Sequence, residues 1–555
     1  MNASAFLLDD LRCVHMPGLG RSNLVVATGT ALSRITGLAR IIVFGVIIGQ
    51  TALADAFDAA NNSPNSIYEL LIGGVLAASL VPLFTSLLNS DYDIRVDITD
   101  VPQRGTDAII SVSLIALTVI TIAAVVASPV IFHLFSLHPA PGIDAEVFRR
   151  AGTALTRIFV VQIFFYGVSA LCSALLNARR RFFAAAWSPA VANIIAIIFL
   201  SSIHFNGNFS SGNTQPQIVD VLSGSKLMWQ LGLSTTVGIA VMALIQVIAV
   251  KRSAIPFSFS PHFSHPAVRK LIQLSLWTFG YVVANQIALV VIKNLASPGS
   301  GLVDAYSKAF VLFQLPHGLL AVSIATTFLP DLARLAANND HHAFTERMTR
   351  GVTLTALFTI PASFGLFVLS KPIVGLVLQH GNFSPLATHN TARALTGLAL
   401  GLTGFSVYLF VLRGFYAQHN TRTPFLINLG ENAINIVLAI VLVDRFDVLG
   451  LGLSFSIAYI VSAVIALVVL NSTTHSARLD RLVYDILRIT AAGAAMALAV
   501  WLATNSVGSS AGAGALVRVS LGVVVGATTY IGMLALLGEP HLRNYWSTRT
   551  TKSSR

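Results

Sequence analysis

Apolar runs of about 20 residues recur along the whole chain, and they constrain its fold more than any other feature. A helix of that length spans the roughly 30 Å of hydrocarbon in a bilayer. The runs lack the period-two alternation of a membrane β-barrel strand. Of the 555 residues, 55% are hydrophobic and only 10% are charged. A soluble domain carries roughly 25% charge. The chain therefore reads as an all-α polytopic membrane protein. About fourteen spans are predicted, from 23–50 to 515–538, with 63–88 the second and 268–296 the seventh.

The formal net charge is +12. Its positive charges are spread among short loops and do not form one basic, aromatic-laced face, so nucleic acid is not an expected partner. Alternate loops differ sharply. One set carries Arg12, Arg21, Arg95, Arg104, Arg179 to Arg181, Lys251, Arg252, Arg269, Lys270, Arg334, Arg347, Arg350, Arg422, Arg478, Arg481 and the basic tail. The positive-inside rule then places both termini in the cytoplasm. Residues 1–22 lack the pattern of a secretory signal, so the first helix is expected to stay in the mature chain. Cys13 and Cys172 cannot form a disulfide framework. The sequence shows no Walker loop, HExxH or Cys/His zinc pattern, and no catalytic residue, metal ligand or cofactor is assigned. The pair His341–His342 is placed in a loop.

The chain repeats itself at about 245 residues. ADAFDAANNSPNSIYELLIGGVLAASLVPLF, with Asp55 and Pro82, matches VDAYSKAFVLFQLPHGLLAVSIATTFLPDL, with Asp304 and Pro330. A second pair sets Arg180 and Asn193 against Arg422 and Asn435. The predicted organisation is a cytoplasmic N-terminus at 1–22, a six-helix lobe at 23–250 and a second at 251–472. Two further helices follow within 473–538, then a cytoplasmic tail at 539–555. An even number of helices per lobe relates the two by a pseudo-two-fold axis along the membrane normal. Transporters use that design, with the site between the lobes.

Arg34 and Arg40 stand in the first apolar run, ALSRITGLARIIVFGVIIG, with no acid close in sequence. A guanidinium at membrane depth costs roughly 2.5–3.5 kcal/mol on insertion scales, so it is expected to face a protein-lined or watery cavity. Two kinds of partner fit. One is an anionic guest, held by the planar fork of arginine through paired hydrogen bonds, with the Ser33 hydroxyl beside it. The other is an ion pair with Asp55 or Asp58. On an ideal helix the two arginines point about 120° apart and lie about 9 Å apart along the axis. A break or kink at Thr36–Gly37 is therefore predicted, to bring both onto one cavity. Further polar groups in or near the spans are Asn65 and Glu69, Lys308 in the eighth, and Asn428, Glu431, Asn432 and Asn435 in the eleventh.

The segment GTALSRITGLARIIVFGVIIGQTALADAFDAANNSPNSIYELLIGGVLAASLVPLF resembles the opening of the MurJ (MviN) family of lipid II flippases, most strongly its actinobacterial branch. LFQLPHGLLAVSIATTFLPDLAR and GFYAQHNTRTPF extend the resemblance over nearly the whole chain. It implies the fold of the multidrug/oligosaccharidyl-lipid/polysaccharide exporter superfamily, and a transporter in place of an enzyme. The implied activity moves undecaprenyl-diphosphate-linked disaccharide-pentapeptide, lipid II, from the cytoplasmic to the outer leaflet of the bacterial cell membrane by alternating access. That activity serves peptidoglycan synthesis and cell shape, with membrane lipids and cell-wall synthesis proteins as partners.

In the family, a serine and two arginines of the first helix line a cationic cavity, and the resemblance carries these roles to Ser33, Arg34 and Arg40. Asp55 and Asn65 match polar positions near the second helix. The family's second-helix arginine falls on Tyr68. Its eighth-helix arginine falls on Val311, where Lys308, one turn earlier on the same face, is expected to supply the charge. The seventh helix offers no acid for the cation site of some relatives. Two rival functions stand beside this one. One is an exporter of another polyprenyl-linked glycan; the other is a membrane glycan polymerase, which would need carboxylates and large loops on the outer face.

Overall fold

The computed structural model describes residues 19–69, 84, 101–205, 215–253, 257–474 and 479–537. Among them the regular structure is helical. In the first half are α1 (Leu19–Ile48), α2 (Ala52–Tyr68), α3 (Val101–Val126), α4 (Ser128–Leu134), α5 (Ala145–Phe159), α6 (Gln162–Ala178), α7 (Phe183–Phe205), α8 (Ile218–Ser223) and α9 (Ser225–Arg252). The second half has α10 (Pro266–Leu295), α11 (Leu302–Pro316), a π-helical turn at His317–Ala321 and α12 (Val322–Ala337). There follow α13 (His341–Leu378), α14 (Pro385–Ala399), α15 (Leu402–Ala417), α16 (Arg422–Phe446), α17 (Val448–Thr474), α18 (Leu479–Asn505) and α19 (Gly512–Leu536).

Among the described residues, 11 helices are long and apolar enough to cross a membrane, or 12 when α14 and α15, which meet at 49°, count as one span. The predicted fourteen are not all recovered. Span 63–88 lies mostly outside the described residues, as do Pro82 and the tail 539–555. Span 268–296 coincides with α10.

Local chemistry sets several boundaries. Asp340 Oδ1 accepts the Ala343 N–H at 3.0 Å and starts α13, so His341 and His342 open a helix instead of lying in a loop. Pro316 ends α11, and the backbone widens into the π turn beginning at His317. Proline withholds a helical donor, and π turns gather at functional places in helices.

Helix α1 packs on α7 through Gly29, Ser33 and Gly37, small residues at every fourth position that let two backbones approach closely. An ideal Cβ on Gly29 would stand 2.7 Å from Trp187 Cδ1 and 2.9 Å from the Ala186 carbonyl. Asn193 Nδ2 donates to the Ser33 carbonyl and to Thr36 Oγ1, both at 3.2 Å. Thr36 Oγ1 donates back to the Leu32 carbonyl at 2.8 Å. The predicted break at Thr36–Gly37 is absent: α1 is one uninterrupted α-helix through this stretch. Gly37 faces α7 without bending the helix, a Cβ there meeting only Asn193 Nδ2 at an ordinary 3.5 Å, and the polar groups around it are satisfied without unwinding.

The first half buries Phe44, Leu53, Phe132, Phe148 and Phe159 in one cluster. The second half buries Phe313, Phe383, Leu395 and Phe455 in another. Helices α18 and α19 pack on each other and on α13 through Ile489, Met496 and Tyr530.

Candidate functional site

Because α1 is intact, its two arginines keep their angular separation and look in different directions. Arg34 is exposed at mid-helix and reaches the π turn of the second half: a Cβ on Gly318 would lie 3.9 Å from its Nη2. That turn also presents His317, whose Nδ1 pairs with Ser406 Oγ at 3.0 Å. Arg40 faces the first half, beside Tyr166 of α6. The Tyr166 ring packs on Tyr68 with centroids 5.1 Å apart, so Tyr68 stands next to the charge and does not replace it. Asn65, half-buried, lies one turn before Tyr68 on the same side of α2. Ser33, also half-buried, directs its carbonyl to Asn193. Neither arginine has an ion pair or hydrogen bond among the described residues. The alternative of an ion pair with Asp55 or Asp58 is ruled out, since both acids are committed elsewhere.

Asp55 is 0% exposed and joins the two halves. Its Oδ2 accepts the backbone N–H groups of Gly299 at 2.9 Å and Gly301 at 2.7 Å, and its Oδ1 that of Asp304 at 2.8 Å. Gly299 and Gly301 have φ of +97° and +88°, which turns successive N–H groups inward as an anion-binding concavity. A side chain on Gly301 would also meet Gln50 Cγ at 2.7 Å. Asp55 thus caps the start of α11, where the helix dipole favours a negative charge. Asp304 receives the ammonium of Lys308, itself 4% exposed. The Lys308 Nζ also sits 5.1 Å from the Phe44 ring centre and 5.5 Å from that of Phe383, a cation–π arrangement.

A second buried pair, Asp58 and Lys293, crosses between the halves close by. Asn382 donates from its backbone to the Val46 carbonyl at 2.9 Å and from Nδ2 to that of Ile47 at 2.7 Å. Asn294 accepts the Leu137 N–H and donates to the Leu134 carbonyl, both at 2.7 Å. All these contacts lie at the end of the bundle where α1 finishes, and together they seal it. Asp55 and Lys308 belong to this seal, and Arg34 and Arg40 lie deeper.

Beside the π turn opens an apolar cavity of about 610 Å³, lined by Pro316, Phe358, Pro361, Gly365, Met496 and Val523 among others. It runs between α13, α18 and α19. Sequence reasoning missed it, because the faces that enclose it come from distant segments. It also missed Lys293, although an ammonium inside the apolar run VVIKNL is itself a signal. Gln286 Nε2, which donates to Glu69 Oε2 at 2.7 Å, is a further unanticipated link between the halves.

Residues 44–522 match the family model described as lipid II flippase MurJ. The matched stretch covers Asp55, Asn65, Tyr68 and Lys308 and begins after Arg40. A probable lipid II flippase MurJ of Rhizobium meliloti (strain 1021) is 29% identical over 482 residues, covering 86% of each chain. The lipid II flippase MurJ of Burkholderia cenocepacia is 27% identical over 532 residues, 94% of this chain and 98% of that one. Among solved structures, lipid II flippase MurJ in an inward closed conformation superposes with a TM-score of 0.73 at 22% identity, covering 93% of this chain and 99% of the other. An inward-facing multidrug resistance MATE family transporter of the MOP superfamily has a TM-score of 0.58 at 14% identity, covering 80% and 98%.

Proposed function

The chain belongs to the lipid II flippase MurJ family, and from that premise we propose that it carries lipid II from the cytoplasmic to the outer leaflet by alternating access. The observation that carries this reading is the neighbourhood of Arg34. An unpaired guanidinium lies beside the π turn at Gly318, and the apolar cavity is lined by Pro316, two residues before it. One side of the turn suits an anion and the other a hydrocarbon chain, which is the division within a polyprenyl diphosphate.

In this reading Arg34 bonds the diphosphate through charge-assisted hydrogen bonds, and Arg40, turned toward Tyr166 on the first half's side of α1, binds a more distant part of the headgroup. Ser33, Asn65 and Tyr68 supply neutral polar contacts to the headgroup. Asp55 and Lys308 act through the seal. Basic loops at the opposite end orient the sealed end outward and both termini to the cytoplasm. The lobes 23–250 and 251–472 then rock about their junction, opening the seal to release the headgroup. A negative-inside potential assists outward movement of an anion by about 2.3 kcal/mol per charge per 100 mV. Cell-wall synthesis proteins are the partners this role calls for, and the bacterial cell membrane its location.

The test is depletion of the protein in cells, complementation with wild type or Arg34→Ala/Arg40→Ala, and an assay of which leaflet holds lipid II. Retention of lipid II in the inner leaflet with the double variant is expected. Normal outer-leaflet lipid II in those cells would end the assignment of the arginines.

A further inference from the structure

Successive residues of a helix project about 100° apart, and the end of α2 uses that angle to face two ways. Tyr68 turns to Tyr166 of α6, beside Arg40. Glu69, the next residue, turns across to α10 of the other half, where its Oε2 accepts Gln286 Nε2 at 2.7 Å. Glu69 is exposed, so its carboxylate stands in the space between the halves. Among the described residues no cation pairs with it, and its Oε1 accepts no hydrogen bond. Gln286 is 9% exposed, and its own Oε1 is a buried acceptor without a donor. Two acceptors, one of them charged, are thus left over at one place.

The other acids that join the halves are compensated: Asp55 by three N–H groups, Asp58 by Lys293, Asp304 by Lys308. Arg40 does not do the same for Glu69, since it pairs with no carboxylate and lies beside Tyr166. An acid inside a membrane protein is costly and marks a surface that meets something.

On the flippase reading, the space between the halves receives the headgroup of lipid II, and the chemistry of that headgroup decides what Glu69 meets. Its diphosphate and peptide carboxyls are anionic and are repelled by a carboxylate. Its sugars carry no charge. Only an ammonium on a side chain of the pentapeptide gains from this place, through a charge-assisted hydrogen bond. An ammonium has three donors, enough for Glu69 and for the free Gln286 oxygen. Arg40, reached from Glu69 through Tyr68 and Tyr166, suits a carboxyl of the same peptide.

We propose that Glu69, with Gln286, forms a subsite that recognises a primary ammonium on the peptide of lipid II and so selects among headgroups. The proposal rests on the flippase reading, and its test separates the two. Two ligands are titrated against the purified full-length protein in detergent free of amino lipids: lipid II with a free amine on its peptide side chain, and the same lipid II acetylated at that amine. The wild type should hold the free amine on the order of tenfold more tightly, the worth of one hydrogen bond to a charged group. Glu69→Gln, neutral and of the same shape, should bind both forms alike, at the wild type's affinity for the acetylated one. Glu69→Asp should keep part of the preference, and Glu69→Lys should reverse it. A reversal cannot come from misfolding, so Glu69→Lys keeps the test decisive if Glu69→Gln folds poorly. Arg34→Ala should weaken both forms and leave their ratio near that of the wild type. Equal affinity of the wild type for the two forms would overturn the proposal and leave the flippase reading intact. An equal loss for both forms in Glu69→Gln would also overturn it, because a strut that only shapes the cavity serves either ligand. Failure of the wild type to bind either form would count against the flippase reading and remove the proposal with it.

Discussion

Asp55 Oδ1 accepts the backbone N–H of Asp304 at 2.8 Å, so acids that occupy matching places in the two halves of the sequence meet across the junction in different roles. Asp55 caps the helix that carries Asp304, while Asp304 turns to Lys308. Truncating Asp55 to alanine leaves three buried N–H groups without an acceptor, and each such loss costs about 1–3 kcal/mol. The seal is expected to weaken by roughly 3 kcal/mol or more. Ala305 is fully buried beside it. A cysteine placed there should react with a membrane-impermeant maleimide much faster in Asp55→Ala than in the parent protein. Equal labelling would show that the seal does not depend on Asp55.

Lys293 and Asp58 are both largely buried, with side-chain exposures of 4% and 15%. Removing one partner strands the other's charge in the bundle, at about 3–5 kcal/mol, whereas replacing both with neutral groups is far milder. Lys293→Met and Asp58→Asn are each expected to lower the melting temperature in detergent markedly. The double variant should recover most of the loss. Additive losses would mean that the two side chains act independently.

Glycine 37 separates what the sequence disclosed from what it could not. The membrane class and most of the spans follow from run length and charge, and the Asp55–Asp304 register follows from the repeat. Arg34 and Arg40 were visible because charge in an apolar run is costly wherever it lies. The role of Gly37 was not visible, because a glycine in a membrane helix permits either a bend or a close approach, and only the position of Asn193 on α7 decides between them. The pairing of Lys293 was hidden for a similar reason: Asp58 lies 235 residues away. A Cβ on Gly37 would meet only Asn193 Nδ2, at an ordinary 3.5 Å. Gly37→Ala should therefore keep transport and stabilise the helix by up to about 1 kcal/mol. Gly29→Leu, which would collide with Trp187, should destabilise it strongly. Loss of transport in a well-folded Gly37→Ala protein would restore the hinge.

The apolar cavity allows the tail and the headgroup of the substrate to be tested apart. Gly365 lines it, and an added Cβ there meets nothing within 4 Å. Gly365→Phe should therefore fold normally, since its ring enters open space instead of overpacking a filled core. It should also occupy the volume assigned to the polyprenyl chain. Binding of full-length lipid II to the purified protein is expected to weaken at least several-fold. Binding of a short-chain, water-soluble analogue with the same diphosphate headgroup should hardly change, because Arg34 and Arg40 are untouched. Arg34→Ala should give the complementary result, weakening both ligands alike. If Gly365→Phe weakened both equally, the cavity would not be a tail site, and the division of the substrate at the π turn would fail with it.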